Sequence, residues 1–276
     1  MIDLHSHHVR CGHARGQLRD YVQAAQRQGL AILGVSDHAP LFAADEDHPA
    51  PGMHMPKSAF SRYLEEATSL QVELEHQGGL ELLIGIEADF IPGSQAVYRQ
   101  ALADPRLDYV LGSVHYFEGY HVYDPQRWHH APNVNRVYQA YLQQVQVAAQ
   151  SGLFDIMAHI DAIKGLGHWP DQDMQPSIDA TVAVLRACDV AVEINTSGLR
   201  KCDEPFPAPA IIAQLHRAGV PLTFGSDAHK PSELGYAWPK IRALLEDIGV
   251  QTLVIFRKRQ RYTIPLAHFE QTLPSH

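Results

Sequence analysis

Seven short apolar stretches of the chain each run into histidine or carboxylate side chains, or into an asparagine. Runs of this length, bounded by turn residues and alternating with helical patterns, are typical of buried parallel strands. Polar groups at the carboxyl ends of such strands gather at one face of a barrel, which predicts one shared site. The stretches cover residues 2–7, 33–38, 84–87, 110–115, 156–161, 192–195 and 222–229.

Between these stretches, apolar residues recur at helical spacing. The clearest patterns cover residues 18–30, 57–77 and 134–148, and further helices are predicted near 94–103, 177–188, 208–218 and 238–247. The alternation of strands and helices implies an α/β fold with a parallel sheet and right-handed crossovers. The 276 residues fit one barrel domain, so we predict a single domain over residues 1–276.

Three segments depart from this alternation. Residues 252–256 form a final apolar run that is either an eighth barrel strand or lies outside the wall, so seven and eight strands are both open. Residues 39–56 and 117–133 are long connections rich in proline or glycine, and each follows a strand that ends in histidine. Long loops in compact domains are usually functional, so we predict that both are lids.

Composition and charge narrow the classes of partner. The net charge of −9 and an isoelectric point near 6.0 provide no basic stripe for extended nucleic acid, although they leave room for a small phosphorylated ligand. The one basic run, residues 257–261, is interpreted as a solvated face. Three cysteines without CxxC spacing, no long apolar span and a polar amino terminus predict a soluble, cytoplasmic protein that binds no membrane.

The candidate chemistry lies in the residues at the strand ends. His5 and His7 are two residues apart, so both rings reach the same side of a strand. Seven histidines and two carboxylates are too many for one tetrahedral zinc, so several ions are predicted, and nitrogen-rich coordination suits Zn, Fe or Mn. The nine candidate metal ligands are His5, His7, His13, His38, Glu87, His115, His159, Asp227 and His229.

The charge of such a centre indicates its substrate. Three divalent ions carry a formal charge of about +6, of which Glu87, Asp227 and a bridging hydroxide would neutralise about three. The remaining positive charge favours a phosphomonoester dianion over a neutral amide.

These motifs, in this order, are similar to those of the PHP (polymerase and histidinol phosphatase) family. The segments that carry the resemblance are Asp3-Leu4-His5-Ser6-His7, Cys11-Gly12-His13, Ser36-Asp37-His38, Gly85-Ile86-Glu87-Ala88-Asp89-Phe90, Gly112-Ser113-Val114-His115-Tyr116, Ala158-His159-Ile160-Asp161, Asn195-Thr196-Ser197-Gly198-Leu199-Arg200 and Gly225-Ser226-Asp227-Ala228-His229. The resemblance implies a distorted (β/α)7 barrel with three divalent ions at the carboxyl ends of its parallel strands.

The resemblance also implies which residues share each ion. It assigns His5, His7, Glu87 and Asp227 to the first ion, and Glu87, His115 and His159 to the second. The third ion takes His13, His38 and His229.

The activity that the resemblance implies is hydrolysis of L-histidinol phosphate to L-histidinol and phosphate, a step of histidine biosynthesis. A hydroxide bridging two ions is expected to attack phosphorus, with Arg200 holding the phosphate. Glu87, Asp227, His229 and Arg200 are therefore the predicted catalytic residues. The acid that protonates the leaving group is left open between Asp161, His229 and no dedicated acid, since an alkoxide bound to a metal ion can leave without one.

Other readings remain open from the sequence. They are a family phosphatase or phosphodiesterase acting on another small metabolite, on a nucleotide or on nucleic acid, an amidohydrolase-type deaminase or amidase, and a metal-storage or metal-sensing module. Asp37 is predicted either to orient a ligand or to sit in a turn, and Asp89 and Glu193 are interpreted as structural. Residues 45–47 are a hypothetical contact for the substrate's positive groups, and most other histidines are expected at the surface.

Overall fold

The computed structural model describes residues 1–129 and 132–269, and it contains a seven-stranded parallel barrel that is nearly closed. The strands in chain order are β1 (Ile2–Asp3), β2 (Ile32–Val35), β3 (Glu81–Asp89), β4 (Tyr109–Ser113), β5 (Tyr116–Phe117), β6 (Tyr120–His121), β7 (Ile156–Met157), β8 (Ala191–Asn195), β9 (Leu222–Gly225), β10 (Thr252–Arg257) and β11 (Gln260–Pro265). The wall follows the order β1-β2-β3-β4-β7-β8-β9, with every pair parallel. The predicted (β/α)7 barrel is confirmed.

The first and last wall strands meet through backbone hydrogen bonds near the site. Leu4 N donates to Phe224 O at 3.0 Å, and His7 N donates to Ala228 O at 2.8 Å. Ser6 and Ala228 form a parallel bridge at the same place. The residues just after β1 and β9 are therefore held side by side, which is what a shared site at the strand ends requires.

Helices connect the strands as the periodicity predicts. They are α1 (Leu18–Gln28), α2 (Lys57–Gln77), α3 (Gln95–Ala101), α4 (Val134–Gln150), α5 (Gln175–Ala187), α6 (Gly198–Lys201), α7 (Pro209–Ala218) and α8 (Trp238–Ile248). Helix α1 ends because Gly29 takes a left-handed conformation, with φ of 68°, and its N–H caps the last turn. Helix α2 packs Tyr63 against the wall, where its Oη donates to Val35 O and Gly85 O.

The barrel interior is filled by side chains as well as by the candidate site. Tyr109 is fully buried, and its ring occupies the space that a Cβ would need at Gly34 and Gly85. Its Oη donates to Leu4 O at 2.6 Å, directly before the first candidate ligand. The glycines of β2 and β3 thus make room for a tyrosine that supports the end of β1.

The final apolar run lies outside the barrel wall. Strand β10 pairs antiparallel with β11, and the hairpin leaves seven wall strands. Its basic residues lie at the surface as predicted, but they also contact carboxylates at the amino ends of barrel strands. The contacts are Arg257 with Glu81, Lys258 with Asp108, Arg259 with Asp155 and Arg261 with Asp189.

The two long connections approach the barrel differently. Residues 39–56 contain no helix or strand, yet they bury His54 and Met55 against the barrel. Residues 117–133 contain most of the β5–β6 hairpin and a short turn of helix at Pro125–Trp128, while residues 130 and 131 of this predicted lid lie outside the described residues. Within residues 1–129 and 132–269, no helix has the length and apolar character needed to cross a membrane.

Candidate metal centre

Each wall strand except β8 delivers at least one predicted ligand to the same end of the barrel. His5 and His7 follow β1, His38 follows β2, and Glu87 lies near the end of β3. His115, His159, Asp227 and His229 follow β4, β7 and β9, and His13 comes from the loop before α1. Parallel strands present their carboxyl ends at one edge, so all nine residues converge although they span more than 200 positions in sequence.

Glu87 lies at the middle of this cluster and is 1% exposed. Five histidine nitrogens surround its two carboxylate oxygens within 4 Å. The distances are 2.9 Å from Oε2 to His38 Nδ1, 3.4 Å from Oε2 to His5 Nε2, 3.6 Å from Oε2 to His7 Nε2, 3.0 Å from Oε1 to His159 Nε2 and 3.7 Å from Oε1 to His115 Nε2. Such a carboxylate is placed to bridge ions bound by different histidines.

Asp227 forms a second, smaller focus at the barrel seam. Its Oδ1 lies 3.0 Å from His7 Nε2 and 3.6 Å from His229 Nδ1, and Ser197 Oγ donates to Oδ2. His229 Nε2 in turn lies 2.9 Å from Nε2 of His13, which is exposed at the mouth of the site. The cluster therefore runs from buried β3 to solvent at the His13–His229 pair.

Backbone strain is concentrated at two of these residues. His159 has φ of 26° and Asp227 has φ of 55°, a region that residues with side chains rarely adopt. Strained conformations persist where the surrounding structure enforces them, commonly at functional sites. The strain places both side chains toward the cluster.

The donor atoms fit divalent metal ions. Nε2 of His5, Nε2 of His7 and Oε2 of Glu87 are buried without a hydrogen-bond partner among the described residues, although buried polar atoms normally have one. The ligand atoms of three trios lie within 4.8 Å of one another: His5 with His7 and Glu87, His7 with His38 and His229, and His38 with Glu87 and His115. Imidazole nitrogens joined by carboxylates suit Zn, Fe or Mn.

Three further carboxylates hold the opposite nitrogens of the ligand rings. Glu193 Oε1 lies 2.6 Å from His5 Nδ1, Asp89 Oδ1 lies 3.1 Å from His115 Nδ1, and Asp37 Oδ1 lies 3.4 Å from His7 Nδ1. A carboxylate on Nδ1 fixes the ring and leaves Nε2 for an ion. The contacts of Glu193 and Asp89 favour an orienting role over a purely structural one, and Asp37 lies on the side of the His7 ring that an orienting role requires.

One signal for these carboxylates was present in the sequence. Asp89 lies two residues after Glu87 on β3, and Glu193 lies two before Asn195 on β8. Residues two apart on a strand face the same side, so both were candidates for the ligand face. The rings that they hold come from other strands and were not visible in the sequence.

Burial and charge act in opposite directions on the central carboxyls. Burial raises the pKa of Glu87, but His38, His115 and His5 outweigh it and hold that pKa well below its usual range. Burial likewise raises the pKa of Asp227, but His5, His7 and His229 outweigh it and hold that pKa well below its usual range. In return, although burial acts to lower it, Asp89 and Glu87 raise the pKa of His115 to about 9. Both central carboxyls are thus held in the ionised form, and an ion that binds the His115 ring must compete with a proton.

Two histidines outside the predicted ligand set are buried beside it and are exceptions to the expectation that most such histidines lie at the surface. His8 Nδ1 lies 2.7 Å from Asp37 Oδ2, on the far side of that carboxylate from His7. His54, from residues 39–56, lies 3.5 Å from Asp89 Oδ2 and 3.3 Å from Tyr116 Oη. Each supports a carboxylate that itself holds a ligand ring.

The residues predicted to contact substrate have other partners in this structure. Arg200 lies exposed on α6 with its guanidinium 4.5 Å from the ring centre of Tyr236. Asp161 forms an ion pair with Lys164 at 2.8 Å and accepts a hydrogen bond from Ala208 N. Asp47, in the hypothetical contact at residues 45–47, accepts hydrogen bonds from Ser58 N and Oγ.

Comparison with known families matches most of the chain to one of them. The model of the PHP domain matches residues 3–197, and that of the PHP-associated region matches residues 212–248. The chain is 35% identical over 263 residues to a protein of Deinococcus radiodurans named probable histidinol-phosphatase, covering 94% of this chain and 98% of that protein. It is 26% identical over 259 residues to the histidinol-phosphatase of Bacillus subtilis, covering 86% and 96%.

A solved structure shares the fold. It is the histidinol phosphate phosphatase of Lactococcus lactis in complex with zinc, L-histidinol and phosphate, with a TM-score of 0.78 and 21% identity over 95% of this chain and 98% of that one. A more general relative is a probable phosphatase of Shewanella sediminis, 27% identical over 240 residues, with 85% of this chain and 80% of that protein covered. The chain thus has relatives whose names denote phosphatases.

Proposed function

Because the chain belongs to the PHP family, we propose that it is a histidinol-phosphatase, which hydrolyses L-histidinol phosphate to L-histidinol and phosphate. The observation that carries this proposal is Glu87, a buried carboxylate surrounded by five histidine nitrogens within 4 Å. Relatives covering nearly the whole chain bear the same enzyme name, which supports the substrate. A cytoplasmic location and a single domain over residues 1–276 stay predictions.

Three divalent ions are proposed for the centre. His5, His7, Glu87 and Asp227 would hold the first, Glu87 with His115 and His159 the second, and His13 with His38 and His229 the third. When bound, such ions supply positive charge for phosphoryl oxygens and activate water for attack on phosphorus. The number of ions and their identity as Zn, Fe or Mn are part of the proposal, and attack by a bridging hydroxide stays a prediction.

The protein's own residues prepare the site for an anionic substrate. Glu193, Asp89 and Asp37 fix the rings of His5, His115 and His7, so the donor atoms need little rearrangement. Burial of Glu87 excludes bulk water from the centre of the cluster. The exposed His13–His229 end is the side from which a phosphate ester reaches the cluster.

Two roles at the substrate remain proposals. Arg200 is exposed and its guanidinium lies over the Tyr236 ring, from which it can move to a phosphate at the mouth. The acid that protonates the leaving group stays open between Asp161, whose carboxylate forms an ion pair with Lys164, and His229, whose side chain is 28% exposed.

A panel of substrates tests the proposed activity. The metal-loaded protein is assayed for phosphate release from L-histidinol phosphate, nucleoside monophosphates and a phosphodiester, and for cleavage of an amide. We expect the highest kcat/KM with L-histidinol phosphate. Phosphate release from another monoester at a higher kcat/KM would assign the site to a different small metabolite, and cleavage of the amide alone would overturn the phosphatase.

A phosphatase for another small phosphorylated metabolite is the second candidate. It is favoured by relatives of similar coverage that are named only as probable phosphatases, such as the one from Shewanella sediminis. The same panel separates the two candidates.

A further inference from the structure

The residue next to Arg200, Lys201, carries a second positively charged side chain near the candidate metal centre. The two side chains of α6 diverge: Arg200 lies over Tyr236, while Lys201 Nζ lies 5.0 Å from the ring centre of Tyr123. Within residues 1–129 and 132–269, Lys201 forms no ion pair, and its ammonium contacts the ring of Tyr123.

The hydroxyl of Tyr123 lacks a hydrogen-bond partner among the described residues, which is unusual for a buried tyrosine. A buried tyrosine hydroxyl usually finds one, because leaving it unpaired costs free energy. Burial, with Asp227 and Glu87, raises the pKa of Tyr123 well above its usual value, so the hydroxyl keeps its proton and is a donor.

The ring of Tyr123 is held in place on several sides. Gly165 leaves room for it, since a Cβ there would lie 2.5 Å from Tyr123 Cε1. The ring of His121 lies 5.7 Å away, and His121 itself stacks on the candidate ligand His115. The unpaired donor is therefore fixed beside the cluster rather than swinging from a loose loop.

We propose that Tyr123 and Lys201 bind the phosphoryl group of the substrate, with Tyr123 donating a hydrogen bond to one oxygen and Lys201 providing a positive charge. The proposal rests on the proposed phosphatase activity. A donor and a cation side by side, each without an acceptor or an anion of its own, fit an anion and exclude a further metal ion. Lys201 is exposed at α6, so its ammonium can move from the ring to an incoming oxygen.

Two conservative substitutions test the pair. Lys201→Met and Tyr123→Phe keep the size of each side chain and remove the charge or the hydroxyl. Because a hydrogen bond to a charged group contributes about 1.5 to 3 kcal/mol, each variant should lower kcat/KM by about 10- to 100-fold. Inhibition by inorganic phosphate should weaken by a similar factor, and metal content should not change. Lys201→Arg should restore part of the loss.

Matched substitutions far from the centre serve as controls. Lys240→Met on α8 and Tyr262→Phe on β11 remove the same groups from exposed positions, and both should leave kcat/KM and phosphate inhibition unchanged. Calorimetric titration of inorganic phosphate into the metal-loaded protein measures binding without turnover. If wild type binds phosphate but hydrolyses no monoester, the proposed activity fails while the pair is still tested by the variants' binding.

The proposal is overturned by either of two results. The first is unchanged phosphate binding and kcat/KM in both variants with full metal content. The second is a loss of metal that accounts for the loss of activity, since the pair would then act on the centre and not on the substrate.

Discussion

The two ends of the barrel gather charged side chains in opposite ways. At the carboxyl ends of the strands, histidines and carboxylates crowd around Glu87, and several of their buried ligand-type atoms have no hydrogen-bond partner within residues 1–129 and 132–269. At the amino ends, Asp108 accepts hydrogen bonds from Ile84 N, Gln71 Nε2 and Lys258 N, and Asp155 is bound by Val110 N and Arg259. At the carboxyl end, charged side chains are available to bind ligands, whereas at the amino end they are paired with other groups of the protein.

The size of a cavity does not distinguish the candidate centre from the opposite end of the barrel. A cleft of about 630 Å³ lies at the amino end, between α2 and the β10–β11 hairpin. Two of the carboxylates along it, Asp108 and Glu81, already have partners in Gln71, Lys258 and Arg257. The candidate centre is marked by unsatisfied, ligand-type atoms, which shows that chemistry is a better guide to this site than volume.

The largest expected effect comes from neutralising the carboxylate at the active end of β3. Glu87→Gln keeps the shape but removes the charge that joins the ions, so activity should fall by about 1,000-fold or more, with loss of bound metal. Glu81→Gln, at the other end of the same strand, should leave kcat within about twofold because a surface ion pair contributes little. Phosphate release and metal analysis measure both. Full activity in Glu87→Gln would contradict the assignment of the centre.

The next effect tests the carboxylates that hold the ligand rings. Glu193→Gln weakens the contact with His5 Nδ1, and loss of such a partner typically costs about 10- to 100-fold in metal affinity or activity. Adding metal should recover part of the activity, because the ligands themselves are intact. Glu75→Gln, an exposed residue of α2, is the control. Equal metal affinity in Glu193→Gln and wild type would show that Glu193 has no orienting role.

A third prediction concerns stability at the amino end. Arg259→Met leaves the carbonyl oxygens of Leu102 and Leu153 without this donor and removes the cation beside Asp155, so the free energy of unfolding should fall by about 1 to 3 kcal/mol. Arg257→Met, whose pair with Glu81 is more exposed, should cost less than about 1 kcal/mol. Denaturant titration measures both, and kcat should stay at the wild-type value. A drop in kcat without unfolding would mean that the two ends are coupled.

The smallest effect is expected in the first long loop. Both oxygens of Asp47 accept hydrogen bonds from Ser58 at the start of α2, so they are not available to the substrate. Asp47→Asn should therefore leave KM within about twofold, as a surface substitution away from the site usually does. The hydrogen bonds from Ser58 lower the pKa of Asp47, so its stabilising effect is present above the unfolded pKa and is lost as pH falls through the folded pKa. Melting curves of variant and wild type should therefore converge in acid. A raised KM in Asp47→Asn would support the hypothesis that residues 45–47 contact the substrate.

Much of the fold was predictable because strand and helix periodicity is a local property. The pattern over residues 57–77 coincides with α2, and the seven apolar runs coincide with the seven wall strands. The final run was ambiguous because an apolar strand has the same pattern in a barrel wall as in a hairpin. Only pairing with β11 shows that it lies outside.

The sequence by itself determined the order of elements and the nine residues that meet at one end of the barrel, because ligand-type side chains at the ends of parallel strands converge whatever the details of packing. Tertiary structure alone decided which carboxylate holds which ring, that His8 and His54 are buried, and that Lys201 rather than Arg200 lies on the ring of Tyr123. These contacts join residues from different strands and loops, and their distances depend on how the whole barrel closes, which no local pattern encodes.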